Sequence, residues 1–227
     1  AGFEQLKNHN SYRSVVPYYL LQIEYRERNY DYVVSEGERL LAVSTKSVRD
    51  DLLRIVAESY FVKGDYVMSL KYINDYPADK HSRQENYIKG YSLYRLGRYR
   101  EAISPLRTVC GAMDGLTQNA SYHLAECYLN TGDLQSATSA FSMASTDGFD
   151  EEIAENALLN YGRLKFELDG DVFNESINVL KRYLDKYPTS EHCPEVQTLL
   201  IAAYYNSKDY GSAYAAIKAF PNPDKEL

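Results

Sequence analysis

The feature that most restricts the fold of this chain is an internal repeat. An aromatic or leucine residue that opens a predicted helix recurs in steps of 36, 33, 35, 39 and 37 residues, at Tyr30, Tyr66, Tyr99, Leu134, Phe173 and Tyr210. Three residues after each comes a mostly small residue: Val33, Ser69, Ala102, Ala137, Ser176 and Ala213. This period is typical of stacked helix pairs, because a single pair cannot bury its apolar face alone.

The stretch 84–109 shows one repeat most clearly. Tyr87, Tyr91 and Tyr94 share one face of its first predicted helix, since residues three and four apart are neighbours on a helix. A second helix begins after Gly97. The pattern predicts a helical hairpin with one apolar face left to be covered by the next hairpin.

Small residues predict how the two helices of a hairpin are joined and packed. Gly97 suits the left-handed position that ends a helix. The dipeptides Gly64-Asp65 and Gly132-Asp133 repeat this junction, with the aspartate placed to cap the following helix. Gly90 and Ala102 are small among bulky neighbours, so we expect them to pack against each other where the helices cross.

The repeats predict an all-α fold, a right-handed superhelix of about six helical hairpins. We expect residues 1–227 to form a single superhelical domain, a fragment of a longer array. Phe3 and Leu6 resemble the end of a preceding helix, and Tyr214, Ile217 and Phe220 form an apolar stripe with no following helix. We therefore expect self-association through these terminal faces, because capping repeats normally carry a polar outer face.

Composition excludes several classes of function. A net charge of −7 and a pI near 5.2 argue against binding to nucleic acid, which requires Lys and Arg concentrated on one face. No apolar run approaches the roughly 20 residues of a membrane span. The 23 tyrosines, with no tryptophan, supply side chains that are both packing bodies and hydrogen-bonding tips.

The repeat motifs resemble those of the tetratricopeptide repeat (TPR). Gly64-Asp65-Tyr66 matches the turn of that family, and Gly97-Arg98-Tyr99 and Gly132-Asp133-Leu134 are similar to it. Tyr187-Pro188 matches the proline that closes the second helix. The absence of tryptophan and the long repeats depart from the family pattern. The resemblance covers nearly the whole chain and implies a superhelix that binds proteins.

A narrower resemblance concerns three segments. The stretches 118–124 and 156–162, and 173–177 followed by Tyr187-Pro188, are similar to long TPR proteins of Gram-negative, Bacteroides-like bacteria that are associated with the cell envelope. This resemblance implies a scaffold in the bacterial periplasm or at the outer membrane. Composition alone indicates no compartment.

Catalytic and metal-binding patterns are weak. His123 and Cys127 lie four apart on one helix, but two further zinc ligands at suitable spacing are missing. In His192-Cys193 the side chains point apart on a helix, which argues against a nucleophile and base. The loop 169–174 resembles a calcium loop but lacks the required glycine and glutamate. We interpret all three cysteines as small buried residues and predict no cofactor, no metal and no enzymatic activity.

A binding surface remains. In a superhelix of this type the first helix of each hairpin lines a concave groove, and the residues facing it are spaced four and seven apart. These predicted groove residues are Tyr18, Gln22, Tyr25, Arg54, Glu58, Phe61, Tyr87, Tyr91, Tyr94, Tyr122, Glu126 and Arg163. Tyrosine and arginine are enriched at the energetic centres of interfaces. The alternative for each tyrosine is that it only packs between neighbouring hairpins.

Three functions fit these features. The first is a non-enzymatic scaffold that binds an extended or helical segment of another protein in the groove. The second is a co-chaperone-type module that clamps an acidic C-terminus, which requires Lys and Asn where Tyr18, Gln22, Arg54 and Glu58 stand. The third is a regulatory or targeting arm of a larger protein with another domain elsewhere. The sequence favours the first.

Overall fold

The computed structural model describes residues 15–146, 148–168 and 174–219. Within these ranges every regular element is a helix, so the predicted all-α fold of helical hairpins is confirmed. Contacts divide the chain into two compact units, Ala1–Val109 and Cys110–Leu227. The expectation of a single domain stays a prediction.

The described part of the first unit consists of hairpins that follow one another along the chain. They are formed by α1 (Val16–Arg26) with α2 (Tyr30–Val43), α3 (Lys46–Val62) with α4 (Tyr66–Asp75), and α5 (Arg83–Arg95) with α6 (Tyr99–Val109). A short 3₁₀ turn, Ala78–Lys80, precedes α5. Each helix packs against the next one in the chain, as the repeat predicts.

The second unit has the same plan. Its hairpins are α7 (Gly115–Asn130) with α8 (Leu134–Thr146), α9 (Glu151–Leu168) with α10 (Asn174–Lys186), and α11 (Cys193–Asn206) with α12 (Tyr210–Ala219). Tyr183, only 1% exposed, lies in a core with Leu158 and Leu180. Apolar residues from α9, α10 and α11 thus share one core.

The predicted starts of the second helices are confirmed at five of the six positions. Tyr30, Tyr66, Tyr99, Leu134 and Tyr210 are each the first residue of a helix. The sixth predicted start, Phe173, lies outside the described residues. These starts are predictable because each follows a turn whose backbone geometry leaves few alternatives.

An aspartate sets the start of α7 at Gly115. The Asp114 carboxylate accepts a hydrogen bond from Thr117 N at 2.8 Å and caps the helix there.

The crossing of α5 and α6 corrects the predicted contact between Gly90 and Ala102. The nearest atoms to a Cβ built on Gly90 all belong to Leu106, with Cγ at 2.7 Å and the backbone nitrogen at 3.0 Å. Ala102 is fully buried but lies one turn earlier on α6. Gly162 repeats the arrangement against Leu180, at 3.0 Å. A glycine in the first helix thus receives a large side chain from the second.

Left-handed residues separate the helices of each described junction. Gly64, Gly97 and Gly132 have φ values of +79°, +71° and +81°, which confirms the predicted role of Gly97. Arg28 and Lys208 occupy the same place, two residues before Tyr30 and Tyr210, with φ values of 61° and 64°. Side chains with a Cβ are strained there, whereas glycine is not.

We expect Lys208→Gly to raise the free energy of unfolding by about 0.5–1 kcal/mol, because glycine removes the left-handed strain but adds freedom to the unfolded chain. Urea unfolding measures the change. Ser207→Gly is the control, since Ser207 has an ordinary φ of −76° and should only lose stability. An unchanged or lower unfolding midpoint for Lys208→Gly would contradict this account of the junctions.

The terminal faces on which self-association was predicted are partly described. Tyr214 is 61% exposed, and the Lys218 ammonium lies 4.5 Å from the centre of its ring. Ile217 is half-buried. Phe220, Phe3 and Leu6 lie outside the described residues. Self-association therefore stays a prediction.

Candidate functional site

The first helices of the three hairpins in the unit Ala1–Val109 lie side by side. α3 contacts α1 on one side and α5 on the other. The predicted groove residues of this unit therefore form one surface, which we call the first-helix face: Tyr18, Gln22, Tyr25, Arg54, Glu58, Phe61, Tyr87, Tyr91 and Tyr94. Its α1 end is polar, and its α5 end is aromatic.

Asp51 is the centre of the polar end, and sequence analysis did not select it. Its carboxylate accepts hydrogen bonds from the Tyr18 hydroxyl at 2.8 Å, the Gln22 amide at 2.9 Å and the Arg54 guanidinium at 2.8 Å. Burial alone would raise the pKa of Asp51, but these donors together lower it. Burial and the bond to Asp51 raise the pKa of Tyr18 to about 12.

Arg54 is committed to carboxylates within the face. Besides Asp51 it lies 3.7 Å from Glu58. Burial, followed by hydrogen bonding to Glu58, raises the pKa of Tyr25. Two carboxylates thus surround one guanidinium, and the polar end carries a small excess of negative charge.

The α5 end is built from aromatic rings. We use the name aromatic cluster for six residues that contact one another: Phe61, Tyr66, Tyr87, Tyr91, Tyr94 and Tyr99. The Phe61 ring lies edge-on to Tyr87 and Tyr91, with centroids 6.1 and 5.5 Å away. Tyr91 also stacks on Tyr87 at 5.6 Å. Burial raises the pKa of Tyr87, whose hydroxyl stays protonated at neutral pH.

The remaining rings extend the cluster towards the hairpin turns. Tyr66 lies 5.7 Å from Tyr91, and Tyr94 lies 5.9 Å from Tyr91 and 6.0 Å from Tyr99. Tyr91 is therefore the central ring. Tyr91 and Tyr94 are only half-buried after these contacts, so both keep surface that a partner can reach.

Tyr66 and Tyr99 were not predicted as members of the cluster, because their position in the repeat indicated only the start of a helix. The signal that could have found them is a spacing of five residues across each turn. Ring pairs with this spacing are Tyr25–Tyr30, Phe61–Tyr66, Tyr94–Tyr99 and Tyr205–Tyr210. In each pair the last aromatic residue of the first helix contacts the first residue of the second.

Arg95 is a second residue of this surface that the sequence did not indicate. Its guanidinium lies over the Tyr66 ring, 4.7 Å from the ring centre, and 5.8 Å from that of Tyr91. It donates hydrogen bonds to both phenol oxygens, at 3.0 and 3.1 Å. A positive charge is therefore fixed on the exposed side of the cluster.

Three predicted groove residues belong to the second unit and form local contacts there. The Tyr122 ring lies 5.6 Å from Phe141. Glu126 lies 3.2 Å from the Nδ1 atom of His123, one turn earlier on α7. Arg163 pairs with Glu195 of α11 through two bonds of 2.6 Å. No aromatic cluster comparable to that of α3 and α5 forms around them in the described part of this unit.

The described residues do not strengthen the weak metal-binding and catalytic patterns seen in the sequence. Among the described residues no group of His, Cys, Asp and Glu side chains is placed to hold a metal ion. Cys127 is fully buried, and burial raises the pKa of its thiol to about 12, so it stays protonated and unreactive. Cys110 and Cys193 are only half-buried, so the prediction that all three cysteines are buried is correct for Cys127 alone.

The predictions about a calcium-like loop and about membrane spans can be compared with the structure only in part. The calcium-like loop 169–174 falls almost entirely outside them. Within the described ranges, no helix combines the length and the apolar character that crossing a bilayer requires.

Two family models match parts of the chain. The model described as "Anaphase-promoting complex, cyclosome, subunit 3" matches residues 27–109, and the model described as "Outer membrane lipoprotein" (YfiO) matches residues 152–223. Each match covers less than half of the chain. No curated protein matches the sequence.

Several solved structures share this helical-hairpin fold. YrrB, described as a TPR protein with an unusual peptide-binding site, has a TM-score of 0.64 at 14% identity, covering 90% of this chain and 98% of its own. A MamA structure has a TM-score of 0.55 at 14% identity, covering 76% and 90%. MamA from AMB-1 has a TM-score of 0.60 at 17% identity, also covering 76% and 90%.

At these identities the likeness establishes the fold alone. The two family models are of the TPR type, and they match two separate segments of the chain, each shorter than half of it. Together with the turn motifs and the described hairpins, they support a fold built from helical hairpins of the tetratricopeptide type.

Proposed function

We propose that this chain is a non-enzymatic scaffold that binds a polypeptide segment of another protein along the first-helix face of α1, α3 and α5. The observation that carries the proposal is the aromatic cluster, in which rings from the four helices α3 to α6 meet and Tyr91 and Tyr94 stay half-exposed. Large rigid rings bury much area on binding at low entropic cost, which is why they dominate interface energetics.

The polar end of the face complements the backbone of such a segment. The Tyr18 hydroxyl and the Gln22 amide nitrogen already donate hydrogen bonds within this end. The Asp51 and Glu58 carboxylates add acceptors on the same face. An extended chain presents unpaired N–H and C=O groups that need such partners once they leave water. We therefore propose an apolar segment whose backbone lies against the polar end.

The described peptide-binding site of YrrB supports this class of function. The co-chaperone alternative is disfavoured, because Arg54 is neutralised by Asp51 and Glu58 and cannot clamp an acidic C-terminus. A regulatory arm of a larger protein would bind through the same face. That hypothesis differs from the scaffold only in proposing a further domain in the same protein.

The proposed location is the bacterial cell envelope. The match of residues 152–223 to an outer-membrane lipoprotein family supports it, as does the resemblance to envelope-associated TPR proteins of Bacteroides-like bacteria. We propose that residues 1–227 act as one domain within that setting. The terminal apolar stripe is a proposed contact between copies.

A pull-down from cell-envelope extract tests the proposed function. We expect Tyr91→Ala/Tyr94→Ala to lose the partner that the wild type captures, because the substitutions remove the central rings of the cluster. We expect an affinity on the order of micromolar, since the ligand must become ordered when it binds. The retained partner is then divided into overlapping synthetic peptides, and the binding of each is measured by fluorescence anisotropy.

The matched control removes two tyrosines elsewhere. Tyr205→Ala/Tyr210→Ala deletes an equivalent ring pair, 63% and 58% exposed, from the last hairpin. This variant should keep the partner. Equal recovery of every partner by a Tyr91→Ala/Tyr94→Ala protein that is still folded by circular dichroism would mean that these tyrosines only pack.

A further inference from the structure

Arg95 lies on the aromatic cluster without an acidic partner. Its Nη1 donates to the hydroxyls of Tyr66 and Tyr91, and its guanidinium covers the Tyr66 ring. Hydrogen bonding to the Tyr91 hydroxyl raises the pKa of Arg95, so its guanidinium stays charged. In the part of the chain that the structure describes, no carboxylate forms an ion pair with it. The positive charge at this position therefore stays available.

The donors of Arg95 are only partly used. Both hydrogen bonds involve Nη1, which leaves Nε and Nη2 without a partner among the described residues. A guanidinium carries five N–H donors in a planar fork that matches the two oxygens of a carboxylate. Because the two rings already hold this side chain in place, less conformational freedom is lost when an anion binds.

Neighbouring charges on the same turns do not compete for this position. Arg98 pairs with Glu101 of α6 through two bonds, at 2.8 and 2.6 Å. Lys63, at the end of α3, pairs with Asp31. These two cations are therefore already paired with carboxylates, whereas Arg95 forms no ion pair within the described residues. A partner that complements it is negative at this point.

Arg95 also excludes the opposite kind of ligand. A lysine or arginine of a partner would bind the faces of aromatic rings by cation–π attraction. The guanidinium of Arg95 already lies over the Tyr66 ring and near that of Tyr91. A cation of the partner would find the Tyr66 ring already covered by Arg95, and the positive charge of Arg95 would repel it.

Building on the proposed function, we infer that the bound segment carries an aspartate or glutamate side chain flanked by apolar residues, and that Arg95 binds its carboxylate. Rings lie on both sides of the central Tyr91, with Phe61 and Tyr87 on one and Tyr94 on the other. A segment can therefore continue in both directions from the acidic residue. This geometry favours a side-chain carboxylate over a chain terminus.

Selection from a phage-displayed library of random peptides tests the inference with the full chain as target. Peptides enriched on the wild type should share an acidic residue next to apolar ones. Synthetic copies should bind Arg95→Gln about tenfold more weakly, the loss expected for one charge-assisted pair. Arg98→Gln, which changes a charge on the same turn, should bind them as the wild type does.

Each other outcome has a defined meaning. If no enriched peptide depends on Tyr91 and Tyr94, the proposed function fails, and this inference fails with it. If enriched peptides need the tyrosines but lack an acidic residue, or bind Arg95→Gln unchanged, only this inference is overturned. Peptides whose binding needs a free C-terminal carboxylate rather than an acidic side chain would overturn it as well.

Discussion

Replacing Gly90 with leucine is expected to lower the free energy of unfolding by roughly 3 kcal/mol, at the upper end of overpacking effects. A Cβ at this position would already lie 2.7 Å from Leu106 Cγ and 3.0 Å from the Leu106 backbone nitrogen. The backbone cannot move away as a flexible side chain could, so α5 and α6 must separate. The melting temperature should fall by about 6–12 °C, measurable by calorimetry.

A second glycine provides the control for this prediction. Gly211 lies in the first turn of α12, where the nearest atom to an added Cβ is Asp209 Oδ1, at an ordinary 3.7 Å. Gly211→Leu should therefore leave the melting temperature unchanged or raise it slightly, because glycine is a poor helix former. Equal effects of the two substitutions would show that the close contact with Leu106 is not what determines the cost.

Replacing Gln118 with methionine is expected to cost about 3 kcal/mol. This fully buried side chain donates to the carbonyl oxygens of Ala144 at 3.2 Å and Asp150 at 3.0 Å, and accepts from Asp150 N at 2.8 Å. It thereby holds the end of α8 to the start of α9. Methionine keeps the length of the side chain but leaves buried backbone groups without partners.

The neighbouring Asn119 offers the comparison for Gln118. Its amide nitrogen donates to Gly115 O, one turn back in the same helix, in a long bond of 3.4 Å. Asn119→Met should change the unfolding free energy by less than about 1 kcal/mol. Urea unfolding of both variants measures the difference. A Gln118→Met protein as stable as Asn119→Met would contradict the structural role of the buried amide.

Local physical chemistry explains why much of the fold could be predicted. A glycine at positive φ and an aspartate cap are decided by neighbouring residues, and Gly64 with Asp65 shows both, since the Asp65 carboxylate accepts from Met68 N at 3.0 Å. The partner of Gly90 was predicted one turn too early. Spacing identifies which positions are small, but the offset of one helix along another depends on packing in three dimensions.

The candidate site was predictable as a set of residues but not as a set of contacts. Spacing selected Tyr18, Arg54 and Tyr91, whereas Asp51 and Arg95 entered only through their partners. A spacing of one repeat period between polar residues could have indicated some of these contacts. The bonds Tyr18–Asp51, Arg163–Glu195 and Gln118–Asp150 span 33, 32 and 32 residues, about one repeat period. Polar residues one period apart were therefore candidates for contacts between hairpins.

Photo-crosslinking tests most directly the claim that the first-helix face binds a partner segment. Benzoylphenylalanine is placed at Tyr94 in the aromatic cluster and, for comparison, at Val67 of α4, which is 62% exposed and lies outside the cluster. Both proteins are irradiated with the partner recovered in the pull-down, and the crosslinked peptides are identified by mass spectrometry. The account predicts crosslinks from position 94 to a single apolar segment that contains an acidic residue, and none from position 67. Crosslinks from position 67 with none from position 94 would contradict it.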